Sequence, residues 1–263
     1  MNNLKLIKAR RSVRTFDGQP LSSEHLEKLN AYIKTITNPY EIPVEFLLLE
    51  KEKYGLSSPV IAGETMYVVA KVKTVPHSEE AFGYSFERFV LYARSLSIGT
   101  TWIGGTIKRA AFEHAIQLGR DERMYCVSPL GYPAKKMSLK ETAMRLGVKA
   151  DQRKPAEELF FEHNFSTVLH PDSDRIRNAL EAVRLAPSAV NKQPWRIVKC
   201  GSTFHFYEKH NKGYSGEKTG DLQKIDMGIA LCHFMLIAGG TLSVSDPGIM
   251  TGNNTEYIAT VIC

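Results

Sequence analysis

Leu185-Ala-Pro-Ser-Ala-Val-Asn-Lys-Gln-Pro-Trp-Arg-Ile197 is the stretch from which the fold is read. A helical pattern with Ile176, Ala179, Leu180 and Val183 on one face runs into it and stops at Ala186-Pro187. A strand-like run, Arg196-Ile-Val-Lys-Cys200, leaves it after Pro194-Trp195. Between the prolines lie Ser188, Asn191, Lys192 and Gln193, hydroxyl and amide groups in a loop stiffened at both ends by fixed φ angles. A rigid polar loop at the end of a strand is where proteins tend to hold ligands. Alone, it reads equally as a helix-to-strand turn punctuated by proline.

Outward from this stretch, one order of elements occurs twice: helix, strand, strand, long helix ending in glycine, strand. In the first copy Ser22 or Ser23 caps a helix with Leu26, Leu29, Ile33 and Ile36 on one face. Strands follow at Val44–Leu49 and Met66–Val72, then a long helix with Phe86, Phe89, Val90, Ala93 and Leu96 inward and Gly99 as its stop. A shorter helix ended by Gly119 and a strand Tyr125–Leu130 close the copy. In the second, Asp172 or Ser173 caps the helix, strands lie at Arg196–Lys199 and Thr203–Tyr207, a long helix runs from Leu222 to Ala238, and Tyr257–Ile262 is the last strand. Asn2 or Asn3 caps a short opening helix, and the basic run from Lys135 to Arg153 reads as a traverse. Two copies of one unit suggest an internal pseudo-dimer with a cleft along its pseudo-two-fold axis. Helix-strand alternation is common enough that coincidence is the alternative.

Composition narrows the function. A chain of 263 residues, 43% hydrophobic and 24% charged, can bury a sizeable globular core. A net charge of +6 permits polyanion binding, but Lys and Arg are scattered and no nucleic-acid motif accompanies them, so no nucleic-acid partner is expected. The same balance suits phosphorylated small molecules. Cys126, Cys200, Cys232 and Cys263 show neither C-x-x-C pairing nor His at metal spacing, which points to reduced thiols and no metal. The first residues lack a signal-like apolar region, and the charge-free run Met227–Ser245 contains His233 and Gly239-Gly240, so a cytoplasmic chain with no membrane partner is expected.

Three further stretches carry chemistry. Arg10-Arg-Ser-Val-Arg14 packs three guanidinium groups and a hydroxyl directly after a helix, either an anion site or a solvated basic helix end. Ile98-Gly-Thr-Thr-Trp-Ile-Gly-Gly105 would let backbone N–H groups approach a flat ligand, or is a helix stop before a buried aromatic. Pro129-Leu-Gly-Tyr-Pro133 is a tight turn off a strand. Gly216-Glu-Lys-Thr219 lacks the spacing of a phosphate loop and is set aside.

Together these stretches resemble the FMN-dependent nitroreductases. Arg10-Arg-Ser-Val-Arg-Thr-Phe16 resembles their opening R-R-S-x-R/K-x-F, and Ala186-Pro-Ser-Ala-Val-Asn-Lys-Gln-Pro-Trp195 their A-P-S-x-x-N-x-Q-P-W. The helix from Tyr84 through Gly99 into Trp102-Ile-Gly-Gly105 is similar to their core helix and its exit; Gly131-Tyr-Pro133 and Arg153-Lys-Pro155 are similar to their closing G-Y-P and R-x-P. The resemblance implies an α+β fold of two α/β half-units, each with a mixed central sheet flanked by helices. Residues 1–162 would carry the RRSVR and WIGG motifs and residues 163–263 the APSAVNKQPW motif, packed as one pseudo-dimeric unit.

One departure shapes the expected site. In ordinary members both motifs lie near one another in one subunit, and two subunits build two FMN sites. Here Ile36-Thr-Asn-Pro-Tyr-Glu-Ile-Pro43 stands where the first half would carry A-P-S, and Asn164-Phe-Ser-Thr-Val168 where the second would carry R-R-S. Each half keeps a different piece, which implies one FMN site per chain. By position, Arg10, Arg11, Ser12 and Arg14 would hold the phosphate and the pyrimidine edge, with Arg14 near N1 and the C2 carbonyl. Ile103, Gly104 and Gly105 would turn N–H groups towards N5. Pro187, Ser188, Ala189 and Asn191 would close over the ring and ribityl chain, and Arg153 would be a second phosphate ligand. The implied activity is NAD(P)H oxidation with ping-pong hydride transfer to a nitroaromatic, quinone or flavin-like acceptor, no catalytic side chain being required. NADH or NADPH would be the reductant. A non-catalytic FMN-binding or sensing protein is the alternative. The chain would be a monomer built as a pseudo-dimer, with further homodimerisation left open.

Overall fold

The computed structural model describes residues 3–216 and 219–263. Asn2, one of the two candidate caps, and the centre of Gly216-Glu-Lys-Thr219 lie outside them. Asn3 itself begins helix α1 (Asn3–Ala9), and its Nδ2 donates to Leu236 O at 3.1 Å. Ser22 caps α2 (Ser23–Ile33), its Oγ accepting from His25 N. β1 (Val44–Glu50) and β2 (Met66–Lys73) pair antiparallel across the one-turn helix α3 (Lys51–Tyr54). After α4 (Ser78–Ser95) and α5 (Arg109–Ala115), β3 (Glu122–Arg123) and β4 (Val127–Leu130) both pair with the far side of β2. Parallel contacts in this half are isolated bridges, Ser12–Thr100 and Thr15–Ala62.

Next come α6 (Leu139–Gly147), β5 (Phe160–Glu162) and α7 (Asp174–Arg184), the last capped by Ser173. β6 (Trp195–Cys200) and β7 (Thr203–Lys209) form a hairpin, followed by the short pair β8 (Ser215–Gly216) and β9 (Gly220–Asp221), α8 (Leu222–Ala238), β10 (Thr241–Ser243) and β11 (Thr255–Ile262). The second sheet runs β10-β11-β7-β6-β5, antiparallel throughout except for parallel β5–β6. β5, at the end of the stretch assigned to the first half, therefore hydrogen-bonds within the second half's sheet.

α4 and α8 form the seam between the lobes. Both are buried on nearly every side, as expected of helices whose apolar residues are not confined to one stripe. Their backbones touch where each carries a glycine. A Cβ on Gly83 would lie 2.1 Å from Ile225 O, and one on Gly228 2.1 Å from Glu80 O. The reciprocity of these two contacts is the local signature of a pseudo-two-fold axis.

The run from Lys135 to Arg153 is not bare traverse but holds α6, capped by Ser138, whose Oγ accepts from Glu141 N at 3.1 Å. Gly99 does not stop α4: the helix ends at Ser95, and the left-handed residue is Ser97 (φ 62°). Gly99 is needed for approach, since its Cβ would lie 3.0 Å from the Val13 side chain. α5 ends before Gly119, with Gln117 taking the left-handed conformation (φ 49°).

Candidate functional site

The first arginine motif leaves α1 as extended chain because its backbone is taken up on both sides. Val13 N–H donates to Thr100 O at 2.9 Å, and Phe16 N–H donates to Ala62 O at 2.8 Å. α6 docks on this segment through Glu141, a carboxylate only 1% exposed. It accepts from Arg14 N at 3.2 Å, Thr15 Oγ1 at 2.8 Å and Arg11 Nη1 at 3.3 Å. Arg11 is thereby committed to Glu141 at the surface, and Ser12 lies half-buried in the bridge to Thr100.

Arg10 and Arg14 turn inward, where burial makes the charged guanidinium less favourable. Arg145, on the same helix as Glu141, lies close enough to oppose the charge of both. Arg153 approaches from the other side; burial first, then Arg10 and Arg184, lower its pKa. Nε of Arg10 and Nε of Arg153 are both buried without a hydrogen-bond partner. Glu87 and Glu141 partly offset Arg10 and Arg14, and Arg145 pairs with Asp151, but the two buried Nε donors still have no acceptor, an arrangement that favours an anion.

The second motif is a left-handed loop held by its own side chains. Val190, Asn191 and Gln193 have φ of 48°, 56° and 52°, a conformation that Asn tolerates and β-branched Val does not favour. Ser188 Oγ accepts from Gln193 N at 2.9 Å, and Ala189 N–H donates to both Asp226 oxygens at 3.0 Å. Asn191 Nδ2 donates to Lys149 O at 2.7 Å and Gln152 O at 3.0 Å, and its Oδ1 accepts from Arg153 Nη1 at 3.4 Å. Gln193 Oε1 accepts from Lys154 N at 2.9 Å. The amides of this loop therefore grip the segment that presents Arg153. A cavity of about 350 Å³ opens there, lined by Val148, Gln152, Arg153, Asn191 and Lys192 among others. A larger hollow of about 530 Å³ beside Tyr54 and His114 touches none of the motifs.

In the glycine stretch, Trp102 Nε1 donates to Glu87 Oε2 at 3.0 Å. Glu87 Oε1 lies 2.9 Å from His233 Nε2, and His233 Nδ1 lies 2.8 Å from Ala182 O. A carbonyl only accepts, so Nδ1 carries a proton and one proton is held between Nε2 and Glu87. This buried bond crosses the α4–α8 seam. Ile103 departs from expectation: its N–H donates to Val127 O at 3.0 Å and is closed to a ligand. Gly104 and Gly105 have no such commitment of their N–H groups among the described residues, and a Cβ on Gly105 would meet nothing within 4 Å. Arg109 Nη2 fixes the turn through Gly104 O at 2.9 Å.

Gly104 faces Leu222 of α8, 3.7 Å from where its Cβ would be, and the same helix carries Asp226 to Ala189. The glycine stretch of one lobe and the proline loop of the other thus meet on α8. Pro187, half-buried, leads into that loop. Burial raises the Asp226 pKa well above the ordinary value; the Ala189 N–H opposes this, and Glu208 and Asp221 add to it.

Glu141, Arg145, Asp226 and the Glu87–His233 pair were not picked out by sequence. Glu141 had a legible signal, the capping sequence Ser138-Leu-Lys-Glu141. Glu87 and His233 had a weaker one, polar residues inside otherwise apolar helical runs.

Two lobes joined along paired central helices, with the strand β5 of the first stretch completing the sheet of the second, make this a nitroreductase fold. A putative nitroreductase from Thermotoga maritima aligns over 100% of this chain and 94% of its own, with a TM-score of 0.61 and 21% identity. A nitroreductase family protein from Clostridium novyi covers 51% of this chain and 87% of its own (TM-score 0.44, 19% identity). An FMN-dependent nitroreductase from Clostridium difficile covers 52% and 92% (TM-score 0.43, 14% identity). No curated protein sequence matches. The family described as "Putative TM nitroreductase" matches residues 2–238, and the chain belongs to that family. Among the described residues no helix is long and apolar enough to cross a membrane.

Proposed function

We propose that the chain is an FMN-dependent NAD(P)H oxidoreductase with one flavin site, divided between the lobes. The observation that carries this reading is the gathering of Arg10, Arg14 and Arg153, whose charges burial disfavours, with Arg145 close enough to Arg10 and Arg14 to add to the repulsion. A phosphate dianion relieves that repulsion and supplies acceptors for the unpartnered Nε atoms of Arg10 and Arg153. The residues present therefore fit a phosphorylated flavin.

Arg10, Arg145 and Arg153 would hold the phosphate, with Arg11 and Ser12 shaping the entry. Arg14, its backbone fixed by Glu141, is the cation for the pyrimidine edge, where positive charge stabilises a reduced ring. Gly104 and Gly105 leave room and N–H groups for a flat ligand. Pro187, Ser188 and Ala189 wall the opposite side, and Asn191 serves as the positioning residue for Arg153. FMN bound here would supply the redox chemistry, accepting hydride from NADH or NADPH and passing it to a nitroaromatic, quinone or flavin-like small molecule.

The test is the flavin content of the purified chain after incubation with FMN, followed by NAD(P)H oxidation with a nitroaromatic or quinone acceptor. One FMN per chain with turnover is expected. Failure to bind FMN rejects the proposal; binding without turnover rejects the catalytic part and leaves an FMN-binding protein.

A further inference from the structure

We infer that the end of β7 and the start of α8 form a divalent transition-metal site, with Glu208, His210 and Asp221 as ligands. Their donor atoms lie within 4.8 Å of one another, a small movement from the spacing of donors around one ion at about 2.0–2.2 Å. Glu208 and His210 are two apart along the chain where β7 ends, and Asp221 is the residue that caps α8. Asp221 spends Oδ1 on the helix, accepting from Gln223 N at 2.9 Å and Lys224 N at 3.4 Å, and keeps Oδ2.

Two independent features point to a cation. Glu208 is 0% exposed, and neither of its carboxylate oxygens has a hydrogen-bond partner. Oε1 meets only the His210 ring at ion-pair distance and Oε2 meets nothing, and a buried carboxylate so poorly satisfied requires explanation. Its Oε1 lies 2.6 Å from His210 Nδ1, so the orphaned group is aimed into the cluster. The other ring nitrogen of His210, Nε2, is 3.0 Å from Glu256 Oε2. This is the carboxylate–histidine arrangement that presents the opposite nitrogen to a metal. Glu256 is in turn held by Lys224 Nζ at 3.0 Å.

Burial, then Asp221 and Glu256, push the Glu208 pKa up to about 8, with Lys224 opposing. One imidazole and two carboxylates, without a thiolate, suit Zn²⁺ or Mn²⁺ rather than a soft ion. His210 is 36% exposed, which leaves an open side for entry and for a water ligand. An ion here would tie β7 to the helix that carries Asp226 to the proline loop.

The experiment is calorimetric titration of Zn²⁺ into the full chain after chelator treatment and dialysis, with thermal melting in parallel. Saturable uptake of one ion and a raised melting temperature are expected. His210→Gln and Asp221→Asn, which retain side-chain hydrogen-bonding groups, should each weaken binding at least tenfold. Glu256→Gln should weaken it about 10–100-fold through the outer partner. No saturable uptake, or unchanged affinity in His210→Gln and Asp221→Asn, would overturn the site and leave His210 as an ion-pair partner of two carboxylates.

Discussion

Adding one methyl group at the α4–α8 crossing should separate the lobes. In Gly83→Ala the new Cβ would stand 2.1 Å from Ile225 O, whereas real Cβ atoms essentially never approach within 3.0 Å, a shortfall of 3.0 − 2.1 = 0.9 Å. The obstacle is a backbone carbonyl, so no rotamer change relieves it; the helices must move apart. Alanine returns up to about 1 kcal/mol of helix propensity. Against that stand an overpacking cost of about 1–3 kcal/mol or more and dispersion lost as the seam opens by nearly 1 Å, enough to forfeit roughly a quarter to a half of each contact's well. The clash should win, leaving a net loss of about 2 kcal/mol, or roughly 4–8 °C in melting temperature for a chain of this size. Gly228→Ala meets Glu80 O at the same 2.1 Å and should behave alike. Gly147→Ala, with nothing within 4 Å of its Cβ at the end of α6, serves as the control and should be neutral or stabilising. Urea unfolding followed by Trp fluorescence gives the ordering, and FMN titration should show weaker binding in the two seam variants. If Gly83→Ala and Gly228→Ala unfold at the parent midpoint, the seam is not close-packed as described and the reasoning fails.

Arg10→Ala and Arg145→Ala should each weaken FMN binding by about 10–100-fold, the loss of one charge-assisted contact of about 1.5–3 kcal/mol, and barely alter riboflavin binding; equal losses for both ligands would refute the phosphate assignment. Asn191→Ala should lower FMN affinity by about tenfold by releasing Arg153, a hydrogen bond to a charged group being worth about 1.5 kcal/mol or more, and an unchanged dissociation constant would contradict the positioning role. Burial chiefly lowers the His205 pKa, so stability is intact above about pH 6.5 and falls as the pH drops through the lowered folded value. His205→Gln should therefore lose less stability than the parent between pH 7 and pH 5, although it starts lower for want of its bonds to Thr203 and Thr260; melting curves with equal pH slopes would count against it. Ser138→Ala should cost about 1 kcal/mol at the α6 cap and also lower FMN affinity as Glu141 shifts, and a change in neither melting nor FMN binding would refute the docking argument.

The lobes were legible because their elements follow simple periodicities and punctuation: Ser22 and Ser173 cap, Gly239 (φ 71°) stops α8, and apolar runs form the strands. α6 was hidden by its outer face. Leu139 and Leu146 are 90% and 74% exposed, so they mark no inward stripe, and the helix is held instead by polar contacts, chiefly the buried Glu141 carboxylate with Ser138 and Lys140 beside it. Gly99 was misassigned for a related reason. A glycine needed for tertiary approach to Val13 has the same letter as a glycine that ends a helix. At the site, the sequence marked the arginines and the proline loop, which are local words. It could not mark Arg145 or Asp226, because their importance depends on which distant residues the fold brings beside them. The commitment of the Ile103 N–H to Val127 was likewise invisible until the chain was folded.

The placement of β5 governs how the two lobes can be taken apart. Phe160, Phe161 and Glu162 run parallel to Ile197, Val198 and Lys199, the flanking Leu159 O accepts from Ile197 N at 2.8 Å, and His163 N donates to Lys199 O at 2.9 Å. A nick between residues 162 and 163 would therefore not release two self-sufficient fragments. The N-terminal piece would end in an apolar arm whose seat is elsewhere, and the C-terminal piece would expose an unpaired edge, a template for aggregation. Expressed separately the pieces should be insoluble, and expressed together they should reassemble. One lobe thus holds the other by a single arm, and exchanging a lobe for one from a relative would succeed only if the arm were exchanged with its seat.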